Sequence, residues 1–152
     1  MATSREYAAS VTVSLSQLQQ MRDAQNYSYV HGHWGDSSAD TVALSGALGG
    51  ISATILGLIF VTNTAAGVTV GVASLVASLF GGVGNDTGKV IQNGVSAMTE
   101  MARTLQPLTR YDLFQIRFPF LEFSLQNGTI IRFVSGKGVI ERAHSGSGWE
   151  IV

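Results

Sequence analysis

From Thr41 to Asn85 the chain carries no charged side chain, and this stretch constrains the fold more than any other feature. Its first apolar run, 43–62, is long enough to cross about 30 Å as a helix. A second run covers 65–83, and only Asn63 and Thr64 separate the two. Asparagine tolerates a left-handed helix end, and either residue can cap a following helix. The pattern predicts two closely packed helices joined by a short turn, with both chain ends on one side of any bilayer they cross. Val68-Thr69-Val70-Gly71-Val72 alternates and is β-branched, which leaves a strand open at that point.

The small residues in this block are ordered. Gly49, Ala53 and Gly57 fall four apart, and Gly46 with Gly50 adds a G-x-x-x-G pair. Ala73, Ala77 and Gly81 repeat the spacing in the second run. Such ridges let helix backbones approach closely, as they do in lipid. In water an exposed helical glycine costs about 1 kcal/mol against alanine, so close packing is the natural compensation. Nine large apolar residues between Leu44 and Val61 each favour insertion by roughly 0.3–0.6 kcal/mol, partly offset by Gly, Ser and Thr. That near-balance suits a chain that is soluble first and inserts later. In character the block resembles the hydrophobic hairpins of bacterial pore-formers and holin-like proteins, over less than a third of the chain.

The remainder reads as three regions of one integrated domain: 1–40, the hairpin 41–85, and 86–152. In 1–40, Val11, Leu15, Leu18 and Met21 keep helical spacing, and Ser16 with Gln19 forms a capping-box pattern. Val11, Val13 and Leu15 also alternate, so a strand can begin there. Residues 86–106 predict an amphipathic helix with Ile91, Val95, Met98, Ala102 and Leu105 on one face, a cap at Asp86 or Thr87, and a stop at Pro107. Beyond Arg110 the period becomes two. Strands are predicted at 111–118, 120–126, 129–134, 139–144 and 149–152, with a type I′ turn at Asn127-Gly128. The expected class is α+β: an apolar Gly/Ala-rich helical hairpin and an amphipathic helix, followed by a small C-terminal antiparallel β-meander.

Charged residues are only 12% of the 152 and the net charge is −1, which gives no electrostatic footprint for nucleic acid. There is no cysteine, hence no disulfide, thiolate or Cys-ligated metal. His31 and His33 would share one face of an extended segment near Asp36, but a third metal ligand is wanting, with only His144 and scattered carboxylates left. As groups that change charge between pH 5 and 8, histidines here fit a pH-sensing role better. The stretch from Gly82 to Lys89 fails as a phosphate loop: the glycine spacing is one too long, and Val90 stands where a hydroxyl is needed. His144-Ser-Gly-Ser-Gly148 has the wrong flanks for a nucleophile elbow. Glu122 and Glu141 read as solvated strand residues, with Arg132 and Arg142 available as partners.

No catalytic set, cofactor or small-molecule substrate is therefore expected. The sequence points to a membrane-active protein, a small oligomeric pore-former or membrane-disrupting effector, with lipid and further copies of itself as partners. The packing ridge would be Gly46, Gly49, Gly50, Ala53, Gly57, Ala73, Ala77 and Gly81. The N-terminus lacks a basic-then-apolar leader, so membrane association after release without a cleaved signal peptide is the expected route. The alternative is a structural subunit of a tube, shell or filament that buries the same hairpin between subunits.

Overall fold

The computed structural model describes residues 3–35, 38–79 and 84–152. It is an α+β fold. An antiparallel sheet is formed by β1 (Thr3–Val13), β2 (Leu113–Ser124), β3 (Ile130–Val134), β4 (Val139–Ser145) and β5 (Gly148–Glu150). Between β1 and β2 in the chain come α1 (Leu15–Gly32), α2 (Thr41–Leu48), α3 (Ala53–Phe60), α4 (Ala65–Leu79) and α5 (Gly84–Leu105). The order across the sheet is β1-β2-β4-β5, and β3 shares the far side of β2 with β4.

The first segment is a strand and not the start of a helix. Tyr7, Ala9, Val11 and Val13 all turn to the side that is covered, and the whole of β1 pairs with β2 from Thr3↔Ser124 to Val13↔Phe114. The alternation of Val11 and Val13 therefore outweighs their helical spacing with Leu18 and Met21. The capping box lies two residues earlier than Ser16 and Gln19. Ser14 Oγ accepts from Gln17 N at 3.1 Å, and Gln17 Oε1 accepts from Ser14 N at 2.9 Å. Both bonds satisfy helix-end N–H groups reciprocally, which turns the chain sharply from β1 into α1.

β2 runs unbroken through Pro119, where the sequence suggested two strands. The reason is topological. β4 pairs with residues 113–117 and β3 with 120–124, so their junction leaves a gap beside Pro119. The Pro119 carbonyl accepts Ser135 N at 2.9 Å on that side, and the missing N–H faces the same gap. The turn into β3 is not type I′. Gly128 N reaches Leu125 O at 3.0 Å, Gly128 alone takes the left-handed conformation (φ 84), and Asn127 does not. This is a three-residue loop closed by a left-handed glycine.

The apolar block is three helices and not two. Gly49 and Gly50 end α2, Ser52 caps α3 by accepting from Ile55 N at 3.4 Å, and Thr64 caps α4 by accepting from Gly67 N at 2.9 Å. Residues 68–72 lie inside α4, so the alternating run is helical. The helix α5 begins at Gly84, ahead of the expected cap, and Asp86 falls in its first turn. Its face of Ile91, Met98, Ala102 and Leu105 is buried, with Val95 half-buried.

One junction ties the layers together. Gln25 of α1 is fully buried; its Nε2 donates to Val134 O at 2.8 Å and to Ile91 O at 2.9 Å, and its Oε1 accepts from Val134 N at 2.8 Å. A side-chain amide thus replaces the neighbouring strand that the edge of β3 lacks. Gly94 of α5 makes room for it, because a Cβ there would lie 1.8 Å from Val134 O and 2.4 Å from Gln25 Nε2. Gly94→Ala should cost about 1–3 kcal/mol through forced displacement. Gly46→Ala, where a Cβ meets nothing within 4 Å, should gain about 0.5–1 kcal/mol of helix stability. Urea unfolding of the two variants beside the parent checks both signs.

Candidate membrane-facing surface

Helices α2, α3 and α4 each bury one side. Leu44, Leu48, Ile55, Leu56, Ile59, Phe60, Val68, Val72, Leu75 and Val76 all lie in the single core cluster that also holds the sheet's Phe118, Phe120 and Phe133. Phe60 and Trp34 both meet the Phe133 ring edge-on, at centroid distances of 6.0 and 5.8 Å. The other side is exposed and carries no charge. Val42 is 84% exposed, Val70 54% and Val61 45%, among Thr41, Gly46, Gly49, Gly50, Ala53, Thr54, Ala66, Ala77 and Ser78. Ala66 and Val70 form a low ridge between two shallow grooves. One groove is walled by Val61, Thr62 and Ile130, the other by Val42, Ser45 and Gly46.

Two hydroxyls of α4 are spent on their own backbone, and one between α3 and α4 on β3. Thr69 Oγ1 donates to Ala65 O at 2.7 Å and Ser78 Oγ to Ser74 O at 2.9 Å, one turn back in each case. Thr62 Oγ1 donates to Ile130 O at 3.3 Å. This back-bonding removes donors that an apolar environment would penalise. Asp40, whose carboxylate accepts from Ala43 N at 3.1 Å, is the last charge before the block.

Of the small residues on the expected ridge, the structure leaves several unused within the chain. A Cβ on Gly46 would meet nothing, and on Gly49 or Gly50 only carbonyls of the preceding turn. On Gly57 it would meet Asn63 Cβ at 3.5 Å. Ala53 and Ala77 are exposed and Ala73 is half-buried. Gly81 lies outside the described residues. The glycines that close contact does require are others: Gly94, Gly67 beside Thr62 and Thr64, Gly138 beside Phe118, and Gly32 and Gly88, where a Cβ would press on Trp34 at 2.4 and 2.9 Å. Gly88, part of the failed phosphate-loop pattern, is thus explained by packing.

The chain is bent twice within the block. The segment Ala53–Leu79 has the length and mean hydropathy, 1.8, of a membrane span, properties that a core helix of a water-soluble protein shares, and 44% of its most apolar window is buried. Here it is divided, because α3 stops at Phe60 and α4 starts at Ala65. Val61, between them, has φ 75 and ψ −49. A β-branched residue at positive φ is strained, at an order of 1–3 kcal/mol. At 8 and 15 residues, α3 and α4 rise about 12 and 22 Å, each short of a bilayer's hydrocarbon core.

Beneath α3 sits a compact ionic network. Arg132 Nη2 donates to Leu58 O at 2.7 Å, Nη1 donates to Tyr7 Oη at 3.0 Å, and the guanidinium lies 3.9 Å from the centre of the Phe120 ring. Arg132 Nε is buried without a partner. Glu122, also buried, accepts from Arg5 Nε at 2.7 Å and Tyr7 Oη at 2.8 Å. The ion pair of Glu122 is therefore with Arg5, and Arg132 reaches it only through Tyr7. Glu141 accepts from Ser10 and Gln115, and Arg142 donates to Gln115 at 2.7 Å, so the two glutamates belong to separate clusters.

The histidines are not arranged as an H-x-H pair on an extended segment. His31 is in the last turn of α1, and His33 is its left-handed C-cap at φ 50. His33 lines a cleft with Tyr29, Trp34 and Lys89, while Asp36 lies outside the described residues. His144 is bonded to Asp112 at 2.7 Å. Among the described residues no group of three His, Cys, Asp or Glu could hold a metal. Compared with family models, curated proteins and solved structures, the chain shows no match to any.

Sequence reasoning missed Gln25 and the Arg5–Glu122–Tyr7–Arg132 network. Glutamine carries no periodic signal, and the four network residues lie on three different strands. Burial pushes the Glu122 pKa up, but the hydrogen bonds from Arg5 and Tyr7 and the charges of Arg5 and Arg132 outweigh it, leaving it below the ordinary carboxylate value. A lowered folded pKa stabilises the fold above the unfolded value of about 4.3, and that contribution is lost as pH falls through the folded value. Glu122→Gln should flatten the acid limb of a stability–pH profile below about pH 4.3 and lower stability at neutral pH. Thermal melts from pH 2 to 7 read both effects.

Proposed function

We propose that this is a membrane-active protein that folds in water and then places α2–α4 in a bilayer. The observation that carries the reading is the outer face of these helices, exposed yet uncharged from Thr41 through Leu79. A water-soluble domain usually covers or charges such a surface, because contiguous uncharged apolar patches mark interaction sites. Two further features support it. Thr69 and Ser78 satisfy their hydroxyls on their own helix, and the break at 61–64 already stands where the turn of a hairpin would be. The break at 49–52 joins two short helices whose combined length, 41–60, gives about 30 Å when continuous. In the bilayer α2 with α3 would make one arm of the hairpin and α4 the other. The network under Leu58 is the polar tie that opening must break.

A second reading has its own observation. Gly46, Gly49 and Gly50 serve no close contact within the chain, which fits helix packing between copies in a soluble assembly.

The test needs charges that spare the fold. Ile55 and Leu75 are buried, so Arg at either would unfold the protein before reaching lipid. Val42 and Val70 are exposed, and Val42→Arg or Val70→Arg should leave the circular dichroism spectrum and melting temperature near those of the parent. An arginine at the centre of a membrane arm costs about 2.5–3.5 kcal/mol on the insertion scale, so Val70→Arg, well inside α4, should release dye from liposomes tens to hundreds of times more slowly, and Val42→Arg, at the end of its arm, should slow release much less. Val61→Gly relieves strain in a turn that both forms keep: the soluble form should become more stable by about 1 kcal/mol, with dye release near that of the parent. A parent protein that releases no dye at any pH or lipid composition, while sedimenting as a large particle, would replace the membrane reading with the structural-subunit one.

A further inference from the structure

We infer that β1 is a self-association edge, through which two copies join their sheets antiparallel about a two-fold axis at Ala8. The inference is independent of the membrane reading. β1 is an end strand of eleven residues, paired along its whole length on one side without a register shift. Among the described residues no strand or helix pairs with its other edge. The bond from Ser135 N to Pro119 O shows that Pro119 turns its backbone groups away from β1. Ala8, opposite Pro119, is therefore in a non-hydrogen-bonded pair, and its own N–H and C=O point to the free edge. By alternation the same holds for Ser4, Glu6, Ser10 and Thr12.

Of the features that blunt natural edges the strand has only the charges of Arg5 and Glu6 near its start: it contains no proline, no lysine and no bulge, and from Ala8 to Val13 no charge. An edge of this length recruits a strand, and a second copy fits it. With Ala8 opposite itself, residues i and 16 − i face each other, so all eleven positions pair. Glu6 then meets Ser10 and Arg5 meets Val11, and no like charges oppose. Ser10 is itself opposite the exposed Arg117 in its own sheet. Each outer face therefore gains a row in which Glu6 of one copy approaches Arg117 of the other across a single strand, about 10 Å, within reach of two long side chains. Among the described residues Glu6 has no ion pair within the chain, while Arg117 already lies near the Glu141 carboxylate that accepts from Ser10, so Glu6 would share Arg117 with Glu141.

The absence of native cysteine makes single-cysteine variants unambiguous. Ala8→Cys should form a disulfide-linked dimer rapidly under mild oxidation, because opposed residues in such a pair have Cα atoms about 5.5 Å apart. Thr12→Cys should not, since its two copies would be about 27 Å apart. Sedimentation of the unmodified protein should show a concentration-dependent dimer. Ala8→Lys, an exposed change that sets like charges against each other at the axis, should raise the dimer dissociation constant at least tenfold with an unchanged circular dichroism spectrum. Val70→Arg should leave it unchanged, which separates this edge from the lipid-facing helices. A parent protein that stays monomeric at every concentration, or Ala8→Cys that links no faster than Thr12→Cys, overturns the proposal.

Discussion

The fold depends on a single buried amide. Gln25 supplies β3 with the hydrogen bonds of a missing neighbour strand and ties α1 to α5 at Ile91. An unpaired buried backbone group costs about 1–3 kcal/mol, so losing this side chain would orphan both the donor and the acceptor of Val134 at once. Only because Gly94 has no side chain can α5 approach the Val134 carbonyl closely enough for the clamp to close. With β3 fixed in this way, Phe133 becomes the platform for Trp34 and Phe60, and the apolar helices have a surface to fold on.

That arrangement bears on the water-soluble form that the proposed function requires. Most of the large side chains of α2–α4 are inside the core, and the exposed remainder is made of small residues, valines and hydroxyls. The polar link from sheet to block, Arg132 to the Leu58 carbonyl, falls near the end of α3, next to the strained Val61. That tie describes a block that is held as well as packed, and the proposed transition from water to lipid would have to break it.

Much of the architecture was legible in the sequence, because periodicity reports burial directly. The α+β class, the helix face of Ile91, Met98, Ala102 and Leu105, and strands near 130–134 and 139–145 follow from spacing alone. Errors arose where tertiary context decides. Val11 and Val13 fit both periods, and the partner strand β2, about a hundred residues later, selects the extended one. Pro119 reads as a strand end until its neighbours turn out to leave a gap beside it. The division of the block at 49–52 and 61–64 needs the shape of the underlying sheet. Gly49 and Gly50 mark the first break in retrospect, but glycine spacing alone reads equally well as a packing ridge. The charge-free face itself was visible from the start; the orientation that leaves Val42 and Val70 exposed was not.

The most direct measurement is hydrogen–deuterium exchange across 41–79, in water and then with liposomes. In water the amides around Val72, Leu75 and Val76 should exchange slowly, while those at 49–52 and 61–64, where the helices break, exchange fast. On vesicles the break at 49–52 should become protected as α2 and α3 fuse, with 61–64 remaining the turn between two membrane-buried arms. Rapid exchange at 49–52 that persists on vesicles, with no change anywhere from 41 to 79, would contradict the account.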